Sequence, residues 1–264
     1  MPYRVDVRKA SHSALDRLIE LGAIDAEQSE NGELAALMPD SVAPEQIASV
    51  LGIDGFTVSP ATGRDEGSVW VLTQRPIQVG RIRIVPSHLD AAPNTLRLID
   101  AAAFGTGLHP TTALCLEALE DILQGASPDS VVDVGTGSGV LALAALMQGV
   151  PHAVGIDIDD AALGVAAENA RINGAGDRLQ VLRCGPAEVT GTWPLVLANV
   201  LAAPLIEMAP TLVRRVGHQG QLVLSGIPTS VEQDVDAAYR RLGMQRARTT
   251  SRGGWVAVVM QASW

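Results

Sequence analysis

Val131-Val-Asp-Val-Gly-Thr-Gly-Ser-Gly-Val140 is the stretch of this sequence that decides its fold. Apolar residues lead into Asp133, glycines follow at 135, 137 and 139, and an apolar helical pattern begins at Val140. Glycines between a strand and a helix let backbone N–H groups approach a ligand, because no Cβ stands in the way. About twenty residues further on, Val154-Gly-Ile-Asp157 ends a second apolar run with a carboxylate. An α/β nucleotide site places its acceptor for a ribose diol at this position.

The spacing of the glycines separates two kinds of cofactor. The loop reads G-x-G-x-G, and the sixth position is Val140 instead of Gly or Ala. It therefore departs from the dinucleotide fingerprint G-x-G-x-x-G. The pattern favours S-adenosylmethionine over NAD, and an NAD-dependent oxidoreductase is the disfavoured alternative.

Length, composition and charge limit what else the chain contains. Its 264 residues leave room for one large domain and a small one, and 47% hydrophobic residues support a sizeable core. No apolar run reaches the roughly 18–20 residues that span a bilayer. The N-terminus has no signal-peptide pattern and the two cysteines form no motif, so we expect a cytoplasmic protein without membrane contact.

The net charge of −10 bears on the partners of the protein. A negative surface repels phosphate backbones, so direct nucleic-acid binding is disfavoured. The same charge favours the approach of a basic protein or a cationic substrate. An acidic surface that serves only solubility is the alternative interpretation.

Three regions are expected along the chain. Residues 1–59 follow a β-α-β-β-α-β order, which predicts a small α+β domain of the ferredoxin-like type for recognition or scaffolding. Residues 60–100 contain apolar stretches that need burial, so they predict a structured connector rather than a flexible linker. Residues 101–264 alternate strand and helix and end in an antiparallel hairpin around Arg252-Gly-Gly254, which predicts an α/β, Rossmann-like domain.

Two further stretches carry candidate site residues. Ala103-Phe-Gly-Thr-Gly-Leu-His-Pro-Thr-Thr112 offers backbone and hydroxyl donors before a predicted helix, which suits binding of a carboxylate. An ordinary glycine turn with a threonine cap is the alternative there. Val196-Leu-Ala-Asn199 places an asparagine at the carboxyl edge of the sheet, where ligands of such folds bind. The alternative is an asparagine that caps the next helix.

The remaining polar residues give weaker signals. His109 is a lone histidine, which favours a structural role over a catalytic one. No Cys, His and carboxylate spacing is typical of a metal site, so no metal is expected. The G-x-S-x-G elbow of a hydrolase is absent. Asn169 and Asn173, four apart on one helix, predict an exposed face.

The order of these motifs resembles the PrmA family, bacterial methyltransferases of a large-subunit ribosomal protein at the stalk base. The matching motifs are Phe-Gly-Thr-Gly-x-His-Pro-Thr-Thr, Asp-Val-Gly-Thr-Gly-Ser-Gly, Gly-Ile-Asp-Ile-Asp and Ala-Asn-Val-Leu-Ala-x-Pro-Leu. Leu224-Ser-Gly-Ile227 is also similar to that family. The resemblance covers most of residues 65–230, whereas the N-terminal unit resembles the family's substrate-recognition domain in element order alone.

The resemblance implies a class I S-adenosylmethionine-dependent protein-lysine N-methyltransferase that acts on a basic ribosomal protein. It places cofactor-binding residues at Thr112, Gly135, Gly137, Asp157 and Asn199, and in the loop residues Phe104, Gly105, Thr106 and Gly107. By the same resemblance, Asp157 accepts the ribose hydroxyls and Gly135 lets the backbone approach the methionine part. Thr112 and the loop cover the cofactor, and Asn199 borders the reacting centre.

The sequence departs from the family pattern at three places. Thr136 stands where Cys is frequent, Ile99-Asp-Ala-Ala102 lacks a usual Pro-Gly, and Gly185-Pro-Ala187 offers no carboxylate for adenine, which leaves backbone groups to serve. No residue is predicted as a dedicated base. Two alternatives stay open, a methyltransferase for another protein or small molecule and a non-catalytic homologue that binds the cofactor.

Overall fold

The computed structural model describes residues 3–11, 13–28, 32–53, 55–60, 76–89, 92, 94–99, 109–252 and 254–264. The chain divides into two compact units, Met1–Gln74 and Arg75–Trp264. The finer division at residues 59 and 100 stays a prediction. Among the helices of the described residues, none combines the length and the hydropathy needed to cross a membrane.

The first unit is a small α+β sandwich. Its elements are β1 (Tyr3–Val7), α1 (Ala14–Glu20), β2 (Asp25–Gln28), β3 (Leu34–Met38), α2 (Pro44–Leu51) and β4 (Thr57–Pro60). The four strands form an antiparallel sheet in the order β2-β3-β1-β4. Val5 lies opposite Ala36 on one face, and Leu18 of α1 and Ile47 of α2 are fully buried with them. The element order and the sheet are the ferredoxin-like arrangement predicted from the sequence.

The second unit begins with a three-stranded sheet formed by β5 (Ile77–Val79), β6 (Ile82–Pro86) and β7 (Thr95–Leu98). β6 runs antiparallel to β5 and parallel to β7, which is an edge strand. The turn between β5 and β6 fixes this sheet to the rest of the unit. The buried Glu120 carboxylate accepts the Arg81 N–H at 2.9 Å, and Gly80 has a φ of 55° and leaves no room for a Cβ against that carboxylate.

The rest of the second unit surrounds a seven-stranded sheet. Its elements are α3 (Pro110–Gly125), β8 (Ser130–Val134), α4 (Val140–Met147), β9 (His152–Asp157), α5 (Asp160–Ile172), β10 (Leu179–Arg183), β11 (Trp193–Asn199), α6 (Ala202–Arg215), β12 (Val216–Pro228), a 3₁₀ turn (Thr229–Val231), α7 (Glu232–Arg240), β13 (Met244–Arg252) and β14 (Trp255–Ala262). The strand order is β10-β9-β8-β11-β12-β14-β13. The first five strands are parallel, and β14 is antiparallel to both β12 and β13.

Helices cover both faces of this sheet. Successive residues of a strand point to opposite faces, so Val131 and Leu195 belong to one buried cluster and Val132 and Val196 to another. The first cluster includes apolar residues of α3, α4 and α5, and the second includes those of α6 and α7. The α/β, Rossmann-like architecture predicted from strand–helix alternation is therefore confirmed, and it has three layers.

Candidate functional site

The candidate site lies where the strand order of the large sheet reverses. β8 comes first in sequence, β9 and β10 follow on one side of it, and β11 and β12 lie on the other. The carboxyl ends of β8 and β11 therefore open a crevice, the usual ligand position in open α/β sheets. Gly135 and Val200 follow these two strands and meet there, since a Cβ on Gly135 would lie 2.6 Å from Val200 Cγ1.

Three glycines in the left-handed region shape the loop between β8 and α4, which we call the glycine loop (residues 135–139). Gly135, Gly137 and Gly139 have φ angles of 71°, 54° and 79°. Side chains rarely adopt such angles, so the loop requires glycine at these positions. The N–H groups of Gly135 and Thr136 donate to the Ile156 carbonyl at 2.9 and 3.0 Å. The glycine loop is thus held against β9.

Asp157 ends β9 beside the glycine loop. Its Oδ2 accepts the Gly137 N–H at 3.0 Å, and its Oδ1 accepts the Asp159 N–H at 3.1 Å. The side chain is half-buried. Each carboxylate oxygen has a second lone-pair site, so the group can accept two further hydrogen bonds from a pair of hydroxyls. The structure brings the predicted Gly135, Gly137 and Asp157 together at one sheet edge.

Asn199 ends β11 on the other side of the crevice and is 8% exposed. Its Nδ2 lies 3.4 Å from Oγ1 of the buried Thr112 in α3. Its Oδ1 has no hydrogen-bond partner among the described residues. A buried acceptor without a partner costs about 1–3 kcal/mol, so a donor on a bound molecule is its expected partner. Leu201, not Asn199, is the N-cap of α6, which excludes the capping alternative.

Val200 is held between two glycines, and sequence reasoning assigned no role to the second. Gly226 in β12 has a φ of 83°, and a Cβ there would lie 2.7 Å from the Val200 carbonyl carbon. Gly135 contacts the Val200 side chain from the other side. Val200 can therefore occupy its position only because both of these neighbours lack a side chain. The similarity of Leu224-Ser-Gly-Ile227 to the family was the available signal.

A buried carboxyl group, Asp133, lies beneath the glycine loop and is 1% exposed. Its Oδ2 accepts hydrogen bonds from Thr136 Oγ1 at 2.8 Å and from the Ala142 N–H at 3.3 Å. Burial raises the pKa of Asp133 to about 6. Thr136, which stands where the family frequently has Cys, therefore donates a hydrogen bond to this buried carboxyl group.

His109 is the N-cap of α3. Its Nδ1 accepts the Thr111 N–H at 3.3 Å and lies 2.8 Å from Thr111 Oγ1. The imidazole meets the Trp255 ring edge-on, with 5.0 Å between the centroids. Burial lowers the pKa of His109 to about 4, so the ring is neutral at pH 7. A neutral capping imidazole agrees with the predicted structural role and replaces the threonine cap of the alternative interpretation.

We expect His109 to make the protein less stable as the pH falls from 7 to 5. The folded pKa near 4 lies below the unfolded value near 6.5, so the unfolded state binds a proton first and the contribution to stability is lost through this window. The loss is roughly 1–2 kcal/mol. Asp133 acts in the opposite direction, because its raised pKa favours the folded state as the pH falls. Urea unfolding of wild type and His109→Asn at both pH values isolates the His109 contribution.

In that comparison, asparagine retains a capping oxygen but does not titrate. The unfolding free energy of wild type relative to the variant should decrease between pH 7 and pH 5. An equal pH dependence of the two proteins would contradict a depressed His109 pKa.

Other predicted site features fall outside the described residues or already have a hydrogen-bond partner. Phe104, Gly105, Thr106 and Gly107 lie outside the described residues. The Gly185 N–H donates to Glu188 Oε2 at 2.8 Å, so this backbone donor after β10 already has a partner. Within the part of the chain that the structure describes, no group of His, Cys, Asp and Glu side chains could hold a metal ion.

One expectation from the sequence was wrong. Asn169 and Asn173 were predicted to mark an exposed face of α5, but Asn169 is 0% exposed and Asn173 is half-buried. The Asn173 side chain hydrogen-bonds to the backbone of Arg97 in β7. The Asn169 side chain hydrogen-bonds to the N–H of Ile99, directly after β7, and to the Ser138 carbonyl of the glycine loop. Helical spacing alone did not distinguish buried polar contacts from a solvated face.

The strand order, the glycine loop after β8 and the carboxylate at the end of β9 define a class I S-adenosylmethionine-dependent methyltransferase. The profile of the family "Ribosomal protein L11 methyltransferase (PrmA)" matches residues 17–263. The chain therefore belongs to that family, as the sequence motifs predicted, and S-adenosylmethionine is its cofactor.

Individual relatives and a solved structure agree with this assignment. The ribosomal protein L11 methyltransferase of Pelobacter propionicus is 40% identical over 79% of this chain and 70% of that protein. The Myxococcus xanthus protein of the same name is 34% identical over 96% of this chain and 95% of its own length. The crystal structure of ribosomal protein L11 methylase from Lactobacillus delbrueckii subsp. bulgaricus covers 72% of this chain and all of that chain, with a TM-score of 0.66 and 29% identity.

Proposed function

We propose that this methyltransferase transfers methyl groups from S-adenosylmethionine to amino groups of ribosomal protein L11. The acceptors would be lysine side chains, with the N-terminal amine as a further candidate. The family match over residues 17–263 carries this proposal, together with the Myxococcus xanthus relative of that name, which this chain matches over 95% of that protein's length. These relatives also favour it over a different substrate or a non-catalytic homologue.

The residues at the crevice suit the cofactor, which supplies a methyl group on an electrophilic sulfonium. The half-buried Asp157 carboxylate would accept the two ribose hydroxyls while Gly137 holds it in place. Gly135 would let the loop backbone approach the methionine part, and Thr112 would border it from α3. Phe104, Gly105, Thr106 and Gly107 would cover the cofactor, as the family resemblance implies.

Asn199 would align the acceptor amine. Its Oδ1, which has no hydrogen-bond partner among the described residues, can accept an amine N–H, and this would direct the nitrogen lone pair towards the methyl group. A lysine amine has an ordinary pKa near ~10.4 and reacts only after it loses a proton. A desolvated position beside the sulfonium would lower that pKa, since both burial and a like charge disfavour the ammonium form.

We assign no dedicated base. His109, three residues before Thr112, uses Nδ1 in the α3 cap. A neutral amine fraction, selected by the dry site, would then react directly, and the proton would be released to solvent. This route predicts that the rate rises with pH until the bound lysine is fully deprotonated.

The charge of the protein suits the proposed partner. A net charge of −10 would steer a basic ribosomal protein towards the enzyme and would discourage direct binding to the phosphates of RNA. A ribosomal protein substrate also implies a cytoplasmic site of action. Both statements belong to the proposal.

The test is transfer of a radiolabelled methyl group to purified ribosomal protein L11 from the same genome. We expect labelled lysines in L11 and none in an equally basic ribosomal protein of similar size. Background from the enzyme itself is small, because Lys9 is the only lysine of its sequence. Cofactor binding without label in L11 would contradict the proposed substrate while leaving the methyltransferase class intact.

A further inference from the structure

Asn169 lies in α5 and connects two parts of the second unit that are distant in sequence. Its Nδ2 donates to the Ser138 carbonyl of the glycine loop at 2.8 Å. Its Oδ1 accepts the Ile99 N–H at 2.8 Å. The side chain is 0% exposed, so water does not compete for these hydrogen bonds. One amide therefore holds the glycine loop and the backbone directly after β7.

Asn173, the C-cap of α5 four residues after Asn169, makes a comparable set of hydrogen bonds. Its Oδ1 accepts the Arg97 N–H at 2.9 Å, and its Nδ2 lies 2.7 Å from both the Arg97 and Asn169 carbonyls. Asn173 thus pairs with both backbone groups of Arg97 in β7, and Asn169 pairs with the N–H of Ile99 directly after that strand. None of the hydrogen bonds described for Asn173 reaches the glycine loop, which is the difference between the two residues.

The glycine loop packs closely on α5 beside Asn169. A Cβ on Gly139 would lie 3.2 Å from the Cβ of Ala166, three residues before Asn169. Ser138 stands between Gly137, whose N–H donates to Asp157, and Gly139, the N-cap of α4. A peptide group flanked by two left-handed glycines has little steric restraint of its own. The hydrogen bond from Asn169 supplies a restraint at this peptide.

We infer that Asn169 is a positioning residue of the cofactor site, which fixes the glycine loop through Ser138 and couples it to the chain at Ile99. Ile99 stands five residues before Phe104 in sequence, and the family resemblance places Phe104 and the three residues after it over the cofactor. Asn169 would thereby set the loop geometry that Gly137 and Asp157 need for binding. The inference rests on the proposed cofactor-binding function of this loop.

The test compares Asn169→Ala with Asn173→Ala. Each variant removes one buried or half-buried amide, from α5 or from its C-cap, that hydrogen-bonds to the backbone at residues 97–99, so both should unfold at lower urea concentration than wild type. Calorimetric titration with S-adenosylhomocysteine, well below the unfolding temperature, should show a dissociation constant raised at least about tenfold for Asn169→Ala. We expect a change of less than about twofold for Asn173→Ala.

Steady-state kinetics give a second measurement. A misplaced glycine loop should raise KM for S-adenosylmethionine and leave kcat within about threefold, because the reacting centre at Asn199 is unchanged. Asn169→Asp retains an acceptor for the Ile99 N–H and lacks the amide donor to Ser138. Asn169→Asp should show the same raised KM for S-adenosylmethionine at pH 8. It serves as the test variant if Asn169→Ala does not fold.

Two results would overturn the inference. One is wild-type affinity for S-adenosylhomocysteine in both Asn169 variants, and the other is equal loss of that affinity in the Asn169 and Asn173 variants. Either result would show that Asn169 contributes only to the general stability of the protein. The titration of the wild-type protein separates this failure from that of the proposed function. If wild type itself does not bind S-adenosylhomocysteine, the cofactor site and the inference that rests on it are both wrong.

Discussion

Replacing Asp157 with alanine is expected to raise the dissociation constant for S-adenosylmethionine at least about 100-fold. The substitution removes the proposed acceptor of two ribose hydroxyls and also releases the Gly137 N–H of the glycine loop. Hydrogen bonds to a charged group contribute about 1.5–3 kcal/mol each, and 1.4 kcal/mol corresponds to a tenfold change in affinity. Isothermal titration calorimetry measures the effect directly, with NAD as a second ligand.

Asp160→Ala is the matched control for Asp157→Ala. Asp160 lies three residues later at the start of α5, is exposed, and pairs at the surface with Arg183. Exposed ion pairs contribute little to stability, so this variant should bind the cofactor within about twofold of wild type. The prediction fails if Asp157→Ala binds S-adenosylmethionine normally, or if the wild-type protein prefers NAD.

Gly226→Ala is expected to destabilise the protein by about 3 kcal/mol and to reduce methyl transfer at least about tenfold. A Cβ at this position would overlap with the Val200 backbone, and the φ of 83° disfavours any side chain. Val200 cannot move away freely, because Gly135 and its loop lie on the other side. Asn199 would therefore shift with it. Urea unfolding and the L11 transfer assay measure the two effects.

Gly164→Ala provides the comparison for Gly226→Ala. Gly164 lies in the interior of α5, and a Cβ there would meet no atom within 4 Å. Alanine favours a helix interior by roughly 0.5–1 kcal/mol over glycine, so this variant should be slightly more stable than wild type and fully active. A similar outcome for the two glycine substitutions would show that Val200 has room to move.

The features that were predictable from sequence are those whose chemistry is local. The glycine loop is recognisable in the sequence from three glycines in five residues. Asp157 is recognisable from its position at the end of an apolar strand. Parallel strands bring their carboxyl ends to one edge, so the meeting of Gly135 and Asp157 follows from strand–helix alternation. Asn199 was located by the same reasoning.

The features that were missed depend on contacts between distant segments. Asn169 looked like a surface residue because its helix spacing carries no information about β7, which lies some seventy residues earlier. Apart from the similarity of Leu224–Ile227 to the family, the sequence gave no sign that Gly226 matters, since the constraint on this glycine comes from the backbone of Val200. The His109 cap was equally hidden, because Thr111 and Thr112 are the commoner capping residues in that stretch.

The position of β14 has a consequence for how the enzyme is made. β14 (Trp255–Ala262) lies between β12 and β13, so the large sheet contains a gap until this late segment has been synthesised. The strands of the N-terminal sheet are all present once residue 60 has left the ribosome, and domains of this kind fold as they emerge. The nascent chain therefore carries an incomplete large sheet through most of its synthesis. An enzyme proposed to modify a ribosomal protein can finish its own fold only when translation has passed residue 262.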